Sequence, residues 1–477
     1  MFVSFTILCF ALIAAATVIN GPRHAAALAF GLAMVLPNWI VREIGAILFD
    51  LRMVCALAAM TCLAMHGSTR WRLRFVWVDA VLAALVVTQL TTEALFANPT
   101  ATQLVDNAVQ WLIPYIFGRI VWQTADDGER LLPIVAVCCA VLGVWSAFES
   151  ITRINPVQLA FGYVGSLQGQ TDFRWGLKRA DGPLMHPIFF GMQMVLLMPF
   201  ALEAARRAKA GVGPNWWRRL PWITAAGAFF SMSRGPQMAL IGTVALTAAI
   251  LKPKWRIPVA VPLVVFVLGV ASAPDAAVDF MQRWSGEEAT MSIDIRGEYY
   301  PYTGTMHRLL QVRVYEEALY NAGWLGYGSA AMGMGTTKIP FVEDHLRQMF
   351  SSIDNHYLQF TLQNGFSGLL LFLAFCFFGI GYALRALKLR RDEFPSLAAG
   401  MAAALTSVTV LVWSVWLASD LRFPLLALVG MSACMWRPRT AATADELQTM
   451  ATSPVADSVP VAVLRRLVPG HPHHRPA

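Results

Sequence analysis

Long apolar runs separated by short polar breaks dominate this chain. They recur at the length that a membrane-crossing helix needs, about 20 residues for a hydrocarbon core of about 30 Å. Such runs fall near 2–19, 25–42, 47–66, 76–94, 106–123, 131–149, 186–205, 219–232, 236–251, 257–273, 364–385, 396–418 and 423–436. The pattern predicts an all-α polytopic membrane protein with about 12–13 transmembrane helices, the first three runs and the last being poorly separated. It divides the chain into N-terminal transmembrane helices (1–149), an external loop (150–185) and further transmembrane helices (186–273). A long external loop (274–363), C-terminal transmembrane helices (364–436) and a polar tail (437–477) follow. No internal repeat and no inverted pair of halves is visible in the sequence.

Composition agrees with this reading. The chain is 57% hydrophobic and 14% charged, against about 25% charged residues in soluble domains. Its net charge of +8 does not point to nucleic acid, because the basic residues form short clusters between apolar runs. The clusters are Arg70/Arg72/Arg74, Arg206/Arg207/Lys209 with Arg218/Arg219, Lys252/Lys254/Arg256, and Arg385/Lys388/Arg390/Arg391. With the spans above, all fall on one side, which the positive-inside rule makes the cytoplasm. The loops 150–185 and 274–363 are then expected outside it, and the Ala/Thr/Pro-rich tail inside it and disordered. The N-terminus comes out external with 13 helices and internal with 12. Residues 1–19 lack the basic flank of a cleavable signal peptide. All seven cysteines lie in or beside apolar runs, which argues against a disulfide framework or a zinc site. Asp50, Arg52, Asp79 and Asp106 stand at span edges and read as interfacial.

Four groups of residues carry candidate chemistry. The first is Ser231-Met232-Ser233-Arg234-Gly235-Pro236. The apolar run before it is too short to cross a membrane, so the chain is expected to break there, with Ser233 as cap and Pro236 in the first turn of the next helix. Arg234 then faces a polar cavity, since an arginine at membrane depth is costly and marks function by default; the plain alternative is an arginine reaching to headgroups. The second is the long loop, rich in Trp284, Tyr299, Tyr300, Tyr302, Tyr315, Trp324 and Tyr327. Aromatic faces suit sugar rings, and equally a membrane-surface belt. Residues 308–322 have amphipathic helix spacing, with Arg308, Val312 and Tyr315 on one face and Leu309 and Arg313 on another. The glycine-rich turn Gly323–Gly328 follows, either a phosphate-holding nest of N–H groups or a flexible loop. The third is Asp354-Asn355-His356-Tyr357-Leu358 with Gly365 and Gly368 after it. If this segment is helical, Asp354 and His356 point about 200° apart; if extended, they share a face and Asp354 orients His356. Intrinsic pKa favours His356 as base, with Asp354 as orienter or substrate acceptor; Asp354 as a plain helix cap, helped by Asn355, is the alternative. The fourth is Arg179, Gly182 and His186-Pro187, where substrate contact and helix start are both open.

In this order, over roughly residues 180–430, the motifs resemble the O-antigen ligase and polymerase superfamily of bacterial envelope proteins. The resemblance rests on Ser231–Gly235, on Arg308–Gly328, and on Asp354–Gly368. It implies a GT-C-like glycosyltransferase in the bacterial inner membrane, with its site facing the periplasm. The donor is then a polyprenyl-diphosphate-linked oligosaccharide, and no metal and no cofactor is called for. Membrane lipids, and a chain-length regulator or flippase, are the implied partners. Arg234 and Arg308 match the family's functional arginines and are expected to hold the diphosphate, with Arg313 in reserve. Tyr315, Trp324, Tyr327 and His186 are the candidate sugar contacts. Ligase members carry His where this chain has Asp354, a departure that leans toward a polysaccharide polymerase. A ligase acting on lipid A core or protein is the close rival. A transporter of lipid-linked sugars is the rival from another class; such proteins often show the internal repeats absent here.

Overall fold

The computed structural model describes residues 2–44, 47–66, 73–96, 99–161, 173–184, 186–272, 276, 279–280, 282–283, 291–329, 339–389, 393–415, 417 and 419–436. The tail 437–477, Arg70, Arg72, Arg390, Arg391 and Trp284 lie outside the described residues. Each apolar run forms a helix: α1 (Phe2–Asn20), α2 (Pro22–Val35), α3 (Leu51–Met65), α4 (Trp77–Phe96), α5 (Ala101–Val121) and α6 (Ala125–Thr152). After the short α7 (Pro156–Phe161) come α8 (Pro187–Lys209), α9 (Leu220–Phe230), α10 (Arg234–Leu251) and α11 (Arg256–Ser272). Past the long loop lie α15 (His356–Leu389), α16 (Pro395–Leu411) and α17 (Ser419–Met435). By length and composition, α1, α4, α6, α8, α10 and α15 are each able to cross a membrane. The protein is an all-α polytopic membrane protein.

One run divides differently from its apolar pattern. The run 25–42 ends as helix at Val35, because Leu36 precedes Pro37 and turns extended (φ −74°, ψ 144°), as a residue before proline must. The chain then makes a hairpin, β1 (Val41–Ile44) against β2 (Ile47–Asp50), in register Val41↔Asp50. Asp50 caps α3, its carboxylate accepting from the Met53 N–H at 2.7 Å.

Polar ties gather the basic residues at one end of the bundle. Arg23 at the start of α2 donates to Gln123 after α5 at 3.0 Å. Arg119 near the end of α5 bonds Asp79 at the start of α4, and Arg207 of α8 bonds Glu129 of α6. Glu203, wholly buried, accepts from Ser396 N at 3.0 Å and so caps α16, while Arg206 holds its other side at 2.6 Å. Arg385 lies over the Trp436 ring at 4.1 Å. Arg52 does not sit at an interface as its span-edge position suggests. It is wholly buried and donates to the Asp420 carbonyl at 2.6 Å and to Gln193 at 3.2 Å, pinning α17 to α8.

At the opposite end, the long loop is a folded body. It contains the hairpin β5 (Met291–Ile295) and β6 (Glu298–Tyr302), then α12 (Gly304–Val314), α13 (Glu316–Asn321) and α14 (Asp344–Met349). Ile293, Leu310, Val314, Tyr315 and Phe350 form a core that continues into Leu358 and Leu362 of α15. The amphipathic helix forms, and of the residues noted at helical spacing Tyr315 lies on its buried face. Leu310, Gln311, Val314, Tyr315 and Ala318 are buried, whereas Leu309 is 41% exposed. The helix also breaks at Tyr315 (φ −96°, ψ 4°).

Candidate active site

The Ser231–Pro236 break is built by its neighbours. α9 has 11 residues, about 16 Å of helix, well short of a bilayer core. The backbone turns through Met232 at φ 50°, a left-handed conformation that costs a side-chain-bearing residue energy unless its surroundings hold it. They do. Arg174, in the small hairpin of β3 (Phe173–Arg174) and β4 (Leu177–Lys178), donates to the Met232 carbonyl at 2.8 Å. The Ala180 N–H donates to the Phe230 carbonyl at 2.9 Å. Arg179 donates to the Ser233 hydroxyl at 2.7 Å. Ser233 occupies the cap position of α10 but makes no side-chain cap bond; its hydroxyl instead donates to the Ser231 carbonyl at 3.1 Å. Arg234 opens α10, half-buried. On the other side, α8 presses in through Gly191, where a Cβ would come within 2.5 Å of the Ser231 hydroxyl.

The shorter loop is in turn anchored by Glu149, which is wholly buried. Its carboxylate accepts from Lys178 Nζ at 2.9 Å, from Asn155 at 3.0 Å and from the Gly182 N–H at 3.0 Å. A buried carboxylate persists only with such partners. Gly182 has φ 58° and sits so close to Phe190 that a Cβ would lie 2.5 Å from its ring. The chain is thus delivered to His186, which caps α8 by accepting from the Ile188 N–H at 3.2 Å.

From the long loop, α12 brings Arg308, whose Nε lies 3.5 Å from Asp354 Oδ2. Both side chains are more than a third exposed, so the pair contributes at most about 1 kcal/mol to stability. Of the residues singled out in the sequence, Arg308 therefore pairs with Asp354, and Arg179 holds Ser233, one residue from Arg234.

Asp354 and His356 do not share a face. Asp354 is 42% exposed, whereas His356 is 3% exposed. The His356 ring packs on Phe360 and Phe372, with centroids 5.1 and 4.9 Å away. Neither of its ring nitrogens meets a hydrogen-bond partner. The geometry thus gives no support to His356 as the base, or to Asp354 as its orienter. The cap of α15 is Asn355, accepting from the Leu358 N–H at 3.1 Å, not Asp354.

The glycine-rich turn has no N–H groups left for a phosphate at Gly326, Tyr327 and Gly328. These donate to the carbonyls of Ala322 at 2.8 Å, Leu362 at 2.7 Å and Gln363 at 3.0 Å. The turn is a clasp on a break in α15 at Gly365 (φ 67°, ψ −173°). α4 closes it from outside: Glu93 accepts from Ser329 N and Oγ at 2.7 Å, and Thr92 donates to the Leu325 carbonyl at 2.8 Å. Among the candidate sugar contacts, Tyr315 is wholly buried, its hydroxyl donating to the Phe350 carbonyl at 2.7 Å. Tyr327 is half-buried with its hydroxyl on the Ala318 carbonyl. Trp324 is 68% exposed. Arg313 is exposed, away from the buried face of α12.

Sequence reasoning missed Gln311, His307, Glu149 and Lys178. Glu149 carried a usable signal, being a lone carboxylate at the end of an apolar run, which calls for a partner. Gln311 and His307 had none.

Residues 220–373 match the family model described as O-Antigen ligase. The match runs from α9 into α15 and takes in Arg234, Arg308 and Asp354, but not Arg179 or His186. No curated protein matches the chain.

Proposed function

We propose that this member of the O-antigen ligase/polymerase superfamily is a polysaccharide polymerase. It moves a growing glycan from a polyprenyl-diphosphate carrier onto the next lipid-linked repeat unit. The observation that carries the reading is the Arg308–Asp354 pair, together with Arg179 bound to Ser233 next to Arg234.

Breaking a sugar–diphosphate bond leaves negative charge on the departing pyrophosphate. Guanidinium forks match phosphate oxygens bidentately, and Arg234 and Arg308 supply that charge where the carrier's headgroup would enter. Arg308 turns from Asp354 to the phosphate at little cost, because their exposed ion pair is weak. The freed carboxylate takes the proton of the acceptor hydroxyl. That oxygen bonds to the anomeric carbon as the carbon–phosphate-oxygen bond breaks, and the electron pair leaves with polyprenyl diphosphate. Arg179 holds the Ser233 hydroxyl and so fixes the break from which Arg234 projects. Trp324 offers an open aromatic face for a sugar. The site faces the periplasm of the inner membrane in this reading, where flipped lipid-linked units arrive.

Asp354 in place of a family histidine favours polymerase over ligase. The test is purified protein given lipid-linked repeat units alone. A ladder of longer lipid-linked glycans is expected, absent in Arg234→Ala and Arg308→Ala and partial in Arg234→Lys. No product until lipid A core or a protein acceptor is added would replace polymerase by ligase.

A further inference from the structure

Behind Asp354 lies a relay, buried at Gln311 and half-buried at His307, that sequence did not reveal. Gln311 of α12 is wholly buried, and its amide faces two backbone groups with fixed roles. The Ser352 carbonyl, which only accepts, lies 2.7 Å from Nε2. The Asp354 N–H, which only donates, lies 3.2 Å from Oε1. The amide cannot be turned over without losing both bonds. Its second N–H meets Nε2 of His307 at 2.9 Å, so that ring nitrogen accepts. The imidazole proton then sits on Nδ1, 3.0 Å from the Tyr302 hydroxyl. The ring lies flat on Phe350, centroids 4.8 Å apart and planes within 4°. A neutral imidazole satisfies every partner. An imidazolium sets N–H against N–H at Gln311.

We propose that Gln311 and His307 are positioning residues that hold Asp354 against Arg308, and that protonation of His307 releases this hold and stops transfer in acid. The proposal rests on the reading of Asp354 as proton acceptor.

The groups facing His307 are Arg308 and Gln311 from α12, Tyr302 from β6, Phe350 at the end of α14, and the Ser352 carbonyl and Asp354 before α15. Burial, and then Arg308, push its imidazole below the ordinary 6.5; Asp354 and Ser352 oppose them. The sign follows. His307 is neutral at pH 7, the relay is intact there, and it is lost as pH falls through the lowered value.

The experiment uses full-length protein in detergent, with transfer measured against pH and the His307 imidazole followed by NMR of histidine-labelled protein. The resonance is assigned by its loss in His307→Gln. Wild type is expected to lose transfer as pH falls below about 6.5. His307→Gln is expected to lose that limb. Gln311→Glu still accepts from the Asp354 N–H but sets a carboxylate against His307. It is expected to raise the imidazole titration by about one unit or more and to move the acid limb up with it. An unmoved His307 titration in Gln311→Glu, or an unchanged acid limb in His307→Gln, overturns the proposal. Protein without polymerase activity whose His307 titration still moves in Gln311→Glu upholds the relay and removes the polymerase reading instead.

Discussion

Asp354 and His356, two residues apart, end in different surroundings. The sequence left their relation to local geometry, and the deciding contact is long-range: the His356 N–H is taken by the Val412 carbonyl at 2.9 Å. That bond sets the first turn of α15 against the end of α16 and drives the imidazole among phenyl rings. No local pattern encodes a partner 56 positions away. Arg308 and Asp354 were legible as chemistry because an exposed charge in a recurrent motif needs no partner to be noticed. Their pairing was not legible. Substitution separates the two candidate bases. Asp354→Asn is expected to lower transfer about 10²–10⁴-fold, the usual worth of a positioned base, with the protein still in the membrane. His356→Leu is expected to keep transfer within about threefold and to raise the thermal midpoint, because it removes a buried polar ring without partners. A folded but inactive His356→Leu protein would return the imidazole to the mechanism.

At the scale of elements, helices were legible and clasps were not. Apolar length decides where a membrane helix forms, and each of the thirteen runs holds one, though Pro37 and the β1–β2 hairpin trim the second and third. A glycine-rich turn, by contrast, offers N–H donors whatever accepts them. Gly323–Gly328 reads in sequence as either a phosphate nest or a flexible loop, yet the Tyr327 and Gly328 donors are spent on α15 and that of Gly326 on Ala322. The mutual fit shows why glycine is needed there. A Cβ at Gly365 would come within 2.2 Å of the Trp324 carbonyl, and one at Gly326 within 2.6 Å of the Gly365 nitrogen. The positive φ at both adds strain for any side chain. Gly365→Ala is therefore expected to cost more than about 2 kcal/mol, read as a lower melting temperature of the purified protein. Gly381→Ala, in the same helix with open space around it, is the control. It is expected to be neutral or to stabilise by up to about 1 kcal/mol through helix propensity. Equal melting temperatures for the two variants would show that the clasp carries no strain-sensitive fit.

At the scale of the molecule, the basic residues and the candidate site occupy opposite ends. Arg119, Arg206, Arg207 and Arg385 belong to one end through their ties to α4, α6, α16 and α17. The Arg308–Asp354 pair and the Ser231–Pro236 break lie at the other. Chain parity agrees with this placement: with thirteen apolar helices among the described residues, Phe2 and Met435 fall at opposite ends, and Phe2 is expected outside when the basic end is cytoplasmic. Cysteine labelling tests the whole arrangement at once. The native thiols give little background, six of the seven being buried and Cys62 half-buried. Tyr320 in the loop body is 82% exposed, Val3 in α1 is 48% exposed, and Trp255 among the basic residues after α10 is 45% exposed. In intact spheroplasts an impermeant thiol reagent is expected to label Tyr320→Cys and Val3→Cys and to spare Trp255→Cys until lysis. Label at Tyr320→Cys only after lysis would invert the protein. The candidate site would then face the cytoplasm, where nucleotide sugars abound, and a polymerase of externally delivered lipid-linked units would be excluded.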